Sequence, residues 1–455
     1  MKRLAIYIII ITSFVFMLFQ PGFAEVSSEE AAKLKTTLTP MGAEKAGNAD
    51  GTIPAWEGGY KTVPPEYKPG DPRIDPFADE KPLYSITAQN LDQHADKLNE
   101  GVKALYKKYP ETYRIDVYPT HRTASAPQFV YDATFKNATR AETTDNGLSV
   151  EGAYNGIPFP IPKDGYELIW NHLLAWRGIS WESSVFNFLM TTTGKLLTVA
   201  KQTEHNDFPF YYQEVPMEEW EGDYHRVINW NTYPPFKVGQ CILVRDPVDQ
   251  LKEGRRSWQY LTGQRRTRRA PQVSYDTPDF VGSGHNYFDE VYVFNGSLDR
   301  YDWKIIGKKE MVIPYNTNGF HLKKLKEVMN PGHVNPDYLR WELHRVWVVE
   351  GTLAAGKRHV VQKRRAYLDE DTWRIHLQDM WDGKGQLWRF NFSVPFVAPD
   401  VPGHIHWSMV LYNLQTWNYG GNILANGERI HWKHSTTPKP DSFYTPANLS
   451  AVGVR

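Results

Sequence analysis

Glu342-Leu-His-Arg-Val-Trp-Val-Val-Glu350 is the stretch that decides the fold. Read as extended chain, it turns Leu343, Arg345, Trp347 and Val349 to one face and Glu342, His344, Val346 and Val348 to the other, the period of two that marks a strand. Similar runs cover 257–269, 291–293, 359–368, 372–380, 386–394 and 406–414. Turn signals separate them, at Asp145-Asn-Gly147, Asn295-Gly296, Asp369-Glu-Asp371 and Asp382-Gly-Lys-Gly385. Strands that follow one another at hairpin spacing form antiparallel sheet, not βαβ units. A long antiparallel sheet must manage its edges, commonly by curling. The expected fold is therefore mainly β: a large curved antiparallel sheet or open half-barrel carrying a few helices.

Outside these runs, Ser27-x-x-Glu30 predicts a short helix to about Leu38. Leu91, Ala95, Leu98, Val102 and Leu105 predict a helix over 87–109, stopped by Pro110. Asp164 and Glu167 cap a second over 165–176, and a short third runs from Phe320 to Met329. Residues 40–82 are rich in Pro, Gly and Asp, which excludes helix and leaves few ladder hydrogen bonds. They read as an extended arm over the body, with Trp56 and Phe77 as plugs. The first two predicted long helices would serve as a lid.

Composition narrows the function. Of 455 residues, 52 are Lys or Arg and 52 are Asp or Glu. That balance argues against a bulk nucleic-acid binder, which needs surplus cations to displace counterions. Met1-Lys2-Arg3, the apolar run Leu4 to Phe19, and Gly22-Phe23-Ala24 have the form of a secretory signal peptide cleaved after Ala24. The expected division is 1–24 leader, 25–135 arm and helices, and 136–455 β domain, with the mature chain in an exported compartment. The single cysteine, Cys241, permits no internal disulfide and sits in an apolar run that predicts burial.

Enzyme signatures are sparse. No dinucleotide or phosphate loop, nucleophile elbow or His-Glu-x-x-His is found. His404-Ile-His406 would put two imidazoles on one strand face, with His431 and His434 nearby in sequence, but nothing flags a third ligand. No metal, cofactor or catalytic residue is expected. Asp369-Glu370-Asp371 reads as a solvated turn. The basic run from Arg255 to Arg269 is more distinctive: on one strand, Arg265, Thr267 and Arg269 would face one way and Arg266 and Arg268 the other. These arginines would pair with acids of the body or with an anionic head group. The chain also holds 16 Trp, 26 Tyr and 21 Phe, and a curved sheet lined with aromatics would make an apolar cavity.

Several blocks resemble the bacterial domain-of-unknown-function 1329 family of exported proteins. They are Asp75-Pro-Phe77 to Pro82-Leu-Tyr84, Tyr109-Pro-Glu-Thr-Tyr113, Gly156-Ile-Pro-Phe-Pro-Ile-Pro162, Trp258-x-Tyr260 with Gly263-Gln-Arg265-Arg266 to Arg269-Ala-Pro271, Tyr301-Asp-Trp303 and Arg340 to Glu350. The family is similar in fold to LolA/LolB-type lipoprotein carriers, and its members tend to be encoded beside exporters of the resistance-nodulation-division type. The resemblance implies an open barrel over an apolar cavity and a carrier of a lipid or other hydrophobic molecule. It implies partners in an inner-membrane exporter and an outer-membrane protein. Trp258, Tyr260 and Trp347 are the expected cavity wall; Arg265, Arg266, Arg268 and Arg269 are expected to meet a head group or a partner's acids. Two alternatives stand beside it: a carbohydrate-active or sugar-binding protein with an aromatic platform, and a docking subunit of an export complex.

Overall fold

A computed structural model describes residues 26–453 apart from 272, 274 and 281; the leader over 1–24 lies outside the described residues. The chain is mostly β. One sheet of sixteen strands does not close on itself. Its path begins at Tyr84–Ile86 and Ile115–Tyr118, crosses Trp341–Leu353, and runs through Lys363–Asp369, Ile375–Trp381, Leu387–Ser393, Met409–Asn413 and Tyr419–Leu424. It continues through Ser180–Met190, Leu196–Asp207, Asp223–Tyr233, Cys241–Pro247 and Arg256–Leu261, and ends at Arg266–Arg269. Tyr301–Pro314 pairs with Trp341–Leu353, and Lys433–Ser435 with Ser180–Met190, off this path. The pairings are antiparallel except that of Ile115–Tyr118 with Trp341–Leu353, which is parallel. Register breaks at Ile305/Gly307, Asn187/Phe188 and Gly421/Leu424 are bulges that add twist to the long strands.

The sheet is covered on both faces. Val346 and Val348 pack into a cluster with Val102 and Leu105, whereas Val349 and Trp347 join a second cluster with Leu168, Ile169 and Trp170. Alternation therefore separates two cores, not core from water. For the same reason Glu342 and His344 are buried. The aromatic excess is spent in these cores: Trp170, Trp181, Trp341, Trp373, Trp407 and Trp432 are almost wholly enclosed. Cys241 is buried too, and burial pushes its thiol up to about 12.

Local structure departs from the periodicity at several points. The helix predicted over 87–109 is an α-helix only from Glu100 to Lys108, preceded by 3₁₀ turns at Leu91–Gln93 and Ala95–Lys97. Its start is set from outside: the Asp379 carboxylate accepts from Gly101 N at 2.8 Å, Glu100 N at 3.1 Å and Asn99 Nδ2 at 2.7 Å, supplying the anion that a helix N-terminus favours. Helix Gly165–Leu174 begins as expected, with Asp164 accepting from Glu167 N at 2.9 Å. It is buried on nearly every side. Its last carbonyls are capped by Arg177 just beyond its end and by two distant side chains: Arg177 donates to Leu173 O, Arg374 to His172 O and Tyr211 to Leu174 O. The region 320–329 holds two single turns, Asn318–His321 and Leu325–Val328. An unforeseen helix spans Gln128–Arg140. Residues 291–293 are not a strand, because Tyr292 and Val293 take left-handed φ of 57° and 72°.

The arm is anchored by specific contacts. Trp56 Nε1 donates to Ala124 O at 2.9 Å. Phe77 stacks on His121 with ring centroids 4.1 Å apart, and Arg73 grips Asp400 through Nε at 2.7 Å and a second nitrogen at 2.8 Å. Among the described residues no helix is long and apolar enough to cross a membrane.

Candidate functional site

The basic run is not one strand. It is a hairpin of Arg256–Leu261 and Arg266–Arg269, with Thr267 opposite Tyr260 and Arg269 opposite Trp258. Arg265 lies in the turn with φ 49°, so the alternation expected from 265 begins one residue later. Arg265, Arg266, Arg268 and Arg269 are all exposed on the terminal strand and its turn. They form a cationic rim at one edge of the sheet.

The same hairpin fixes the faces of the neighbouring strands. Tyr260 stands opposite Cys241 and Trp258 opposite Leu243. These residues join Ile228, Tyr444 and Leu449 in a small apolar cluster under the C-terminal helix Pro446–Gly453. The intervening residues point the other way, since a strand alternates faces at every position. Val227 opposite Val244, and Asn229 opposite Ile242, therefore share the opposite face.

On that face lies a pocket of about 80 Å³. Val227, Ile242, Val244, Phe288, Val291 and Ile423 line it together with polar groups, Gln202, Glu204 and Asn229 toward one end and His225 and Arg255 toward the other, with Val227 opposite Val244 between them. Its rings are Phe288 and Tyr292; Trp258 and Tyr260 sit across the sheet from it. Trp347 is on a distant strand, 6.5 Å from Trp373 and under the Lys308 ammonium. The structure thus brings Trp258 and Tyr260 together and leaves Trp347 apart.

The pocket's cover comes from the segment between Val273 and Asn295, whose described residues include no strand and one 3₁₀ turn at Phe288–Glu290. Charged and polar bonds pin it. Arg255 binds Asp246 through Nε at 2.6 Å and donates to Asn295 O at 2.6 Å. Asp289 is paired with Arg364 and with His359 at 3.0 Å. Arg389 lies 2.7 Å from Glu290, and Asn391 Nδ2 donates to Val293 O at 3.1 Å. A left-handed φ is costly for a β-branched residue, of order 1–3 kcal/mol, and Val293 pays it directly beside the pocket.

Electrostatics distinguish the polar groups at the two ends. Burial alone would raise the Asp246 carboxyl; the Arg255 guanidinium and the His225 hydrogen bond outweigh it and hold the group at about 2. Glu204 has no such cation. Burial pushes it up to about 7, against the Ser183 hydroxyl that donates to it at 3.0 Å. His225 is kept neutral chiefly by burial, and its Nε2 lies 2.9 Å from Asn206 Oδ1. The pocket therefore offers apolar side chains among polar ones, the Arg255 guanidinium held from behind by Asp246, and the Glu204 carboxyl that burial pushes up to about 7.

The acids of 369–371 differ from expectation. Asp369, Glu370 and Asp371 are 0%, 2% and 4% exposed, not solvated. Arg122 clamps Asp371 at 2.8 and 2.7 Å while donating to Glu44 O at 2.7 Å, and Arg345 reaches Glu370 at 3.2 Å and Ala46 O at 3.0 Å. The turn is buried because it ties the N-terminal arm to the sheet. Glu370 and Asp371 face arginines, and Asp369 faces the Tyr315 hydroxyl, Thr372 N and His344, not an open cleft.

The pocket residues were not singled out by periodicity. Cys241-Ile-Leu-Val244 is continuously apolar because the C-terminal helix covers one face and the pocket occupies the other, and such a run carries no parity signal. Arg255 is the one pocket residue inside the basic run noted above.

Residues 85–450 match the family model described as "Protein of unknown function (DUF1329)". A Pseudomonas aeruginosa protein, PA3922, described as uncharacterized, is 42% identical over 446 residues, which is 95% of each chain. Among solved structures, a DUF1329 family protein from Desulfovibrio piger aligns with TM-score 0.43 and 15% identity, over 63% of this chain and 97% of that one. A putative outer membrane lipoprotein-sorting protein domain from Vibrio parahaemolyticus gives 0.40 and 14%, over 60% and 92%. The LolA superfamily protein NE2245 from Nitrosomonas europaea gives 0.37 and 10%, over 62% and 98%.

Proposed function

This chain belongs to the DUF1329 family, and we propose that it is a periplasmic binding or carrier protein for a lipid or other hydrophobic molecule with a polar end. The observation that carries the reading is the pocket: the apolar side chains of Val227, Ile242, Val244 and Phe288 among the polar groups of Glu204, His225 and Arg255 beneath a pinned cover. Apolar surface binds a chain without directional demands, whereas a few placed polar groups orient its head. About 80 Å³ is well below the roughly 300 Å³ at which ligand pockets begin. Loading then requires the cover over 273–295 to move, and the strain at Val293 favours that movement. The cationic rim of Arg265, Arg266, Arg268 and Arg269 would meet anionic head groups or a partner's acids. An inner-membrane exporter and an outer-membrane protein are the partners this reading expects.

The test is uptake of a fluorescent fatty acid by the purified mature chain, with lipid extraction and mass spectrometry of what co-purifies. Val227→Trp, which fills the pocket, should lower uptake at least tenfold. Uptake equal to that of the parent chain would remove the pocket from the reading.

A further inference from the structure

We propose that His376, His404 and His406 form a binding site for a transition-metal ion of the zinc class. Two strands and the chain just beyond one of them converge there. His376 lies in Ile375–Trp381, His404 in the short strand Gly403–Ile405, and His406 just beyond it. One nitrogen from each imidazole lies within 4.8 Å of the others. His404 Nδ1 and His406 Nε2 are 3.0 Å apart. In a tetrahedral zinc site with bonds of about 2.0–2.1 Å, ligand nitrogens are separated by roughly 3.3 Å, so a small outward shift suffices.

The hydrogen bonds behind the rings have the form that metal ligands need. His376 Nδ1 lies 2.8 Å from Pro314 O, an acceptor only, so this nitrogen carries the proton and Nε2 the lone pair. His406 Nδ1 is held by Ser393 Oγ at 3.0 Å, which leaves Nε2 facing His404. His376 Nε2 and His404 Nε2 are buried with no hydrogen-bond partner among the described residues. Leaving such an atom unpaired costs about 1–3 kcal/mol; coordination would satisfy His376 Nε2, while His404, ligating through the Nδ1 that faces His406, keeps its proton on Nε2.

The rings are also held rigidly and kept neutral. Tyr315 stacks on His404 at 4.1 Å and on His344 at 3.8 Å, between the site and a carboxylate cluster. Burial, then the neighbouring imidazoles, holds His404 and His406 well below the usual histidine range. His376 is depressed by burial to about 3. Arg374 faces His406 and opposes bound positive charge. Across Tyr315, Glu342 and Asp369 lie 3.1 and 3.7 Å from His344 and favour it.

The experiment uses cobalt as probe. The full chain is unfolded in chelator, refolded with excess Co²⁺ and desalted. Near one equivalent of cobalt should be retained, with the visible bands of a four-coordinate ion that Zn²⁺ bleaches. His376→Asn should abolish both. Retention below a tenth of an equivalent in the parent, or unchanged bands and stoichiometry in His376→Asn, would overturn the site. Should His376→Asn fail to fold, Ser393→Ala decides: it removes only the partner of His406 Nδ1 and should weaken zinc about 10–100-fold, and unchanged affinity would overturn the proposal.

Discussion

Arg255 and Asp246 form a closed two-point contact, Nε to Oδ1 at 2.6 Å and a terminal nitrogen to Oδ2 at 3.1 Å, and the same guanidinium reaches Asn295 O at 2.6 Å. One side chain thus couples a strand of the sheet to the end of the pocket's cover. Arg255→Met should free residues 273–295 and leave a buried carboxylate unpaired. Breaking a buried pair from one side costs about 3–5 kcal/mol. Amide hydrogen exchange should rise in 273–295 before it rises in Cys241–Pro247; uniform protection across both would contradict the coupling.

Glu204 gives the protein a pH dependence of defined sign. Its carboxyl moves from 4.5 to about 7 on folding. A carboxyl raised on folding contributes stability that is complete below about pH 4.5 and falls away as pH rises through 7. The span is at most roughly 3 kcal/mol. Glu204→Gln should therefore gain melting temperature over the parent at pH 8 and little at pH 4. Parallel melting curves for the two proteins across that range would refute the assignment.

Tyr260 and Trp258 support the C-terminal helix, on the far side of the sheet from the pocket. Tyr260→Ala should cost about 3–5 kcal/mol, as for other large buried aromatics. At a temperature where the variant remains folded, fatty-acid uptake should match the parent. A selective loss of uptake with little loss of stability would return these two rings to the ligand wall.

The rim arginines should behave in the opposite manner. Arg265, Arg266, Arg268 and Arg269 are exposed, so replacing all four by Gln should move stability by about 1 kcal/mol or less. Binding to anionic vesicles should fall, and the residual binding should lose its salt dependence, because exposed charges act through a screened field. Vesicle sedimentation at low and high salt measures both.

The sheet was legible wherever turns and strands alternated. Leu387–Ser393 lies inside the segment that periodicity marked, and Lys363–Asp369 and Ile375–Trp381 overrun theirs by one residue each. Two kinds of information were not local. The start of helix Glu100–Lys108 depends on Asp379, some 280 positions away, and helix periodicity upstream of it was overruled by that cap. The buried state of Asp369-Glu370-Asp371 depends on Arg122 and Arg345, which approach from other parts of the chain. The candidate site suffered the same limit: the pocket's wall lies on strands covered on both faces, and the third imidazole beside His404 and His406 comes from His376 on a separate hairpin.

Strand Ser180–Met190 sits beside Tyr419–Leu424, with Phe188 opposite Gly421. The two halves of the sheet are thus sewn together by residues more than two hundred positions apart. Such contacts repay their loop-closure entropy only late, and topologies dominated by them fold slowly. Leu196–Asp207 covers one edge of that strand early, but a nascent or translocating chain has no partner for the other edge until residue 424 has emerged. Until then an edge of Ser180–Met190 is open to neighbouring chains, and a protein of this design depends on something to shield it during that interval.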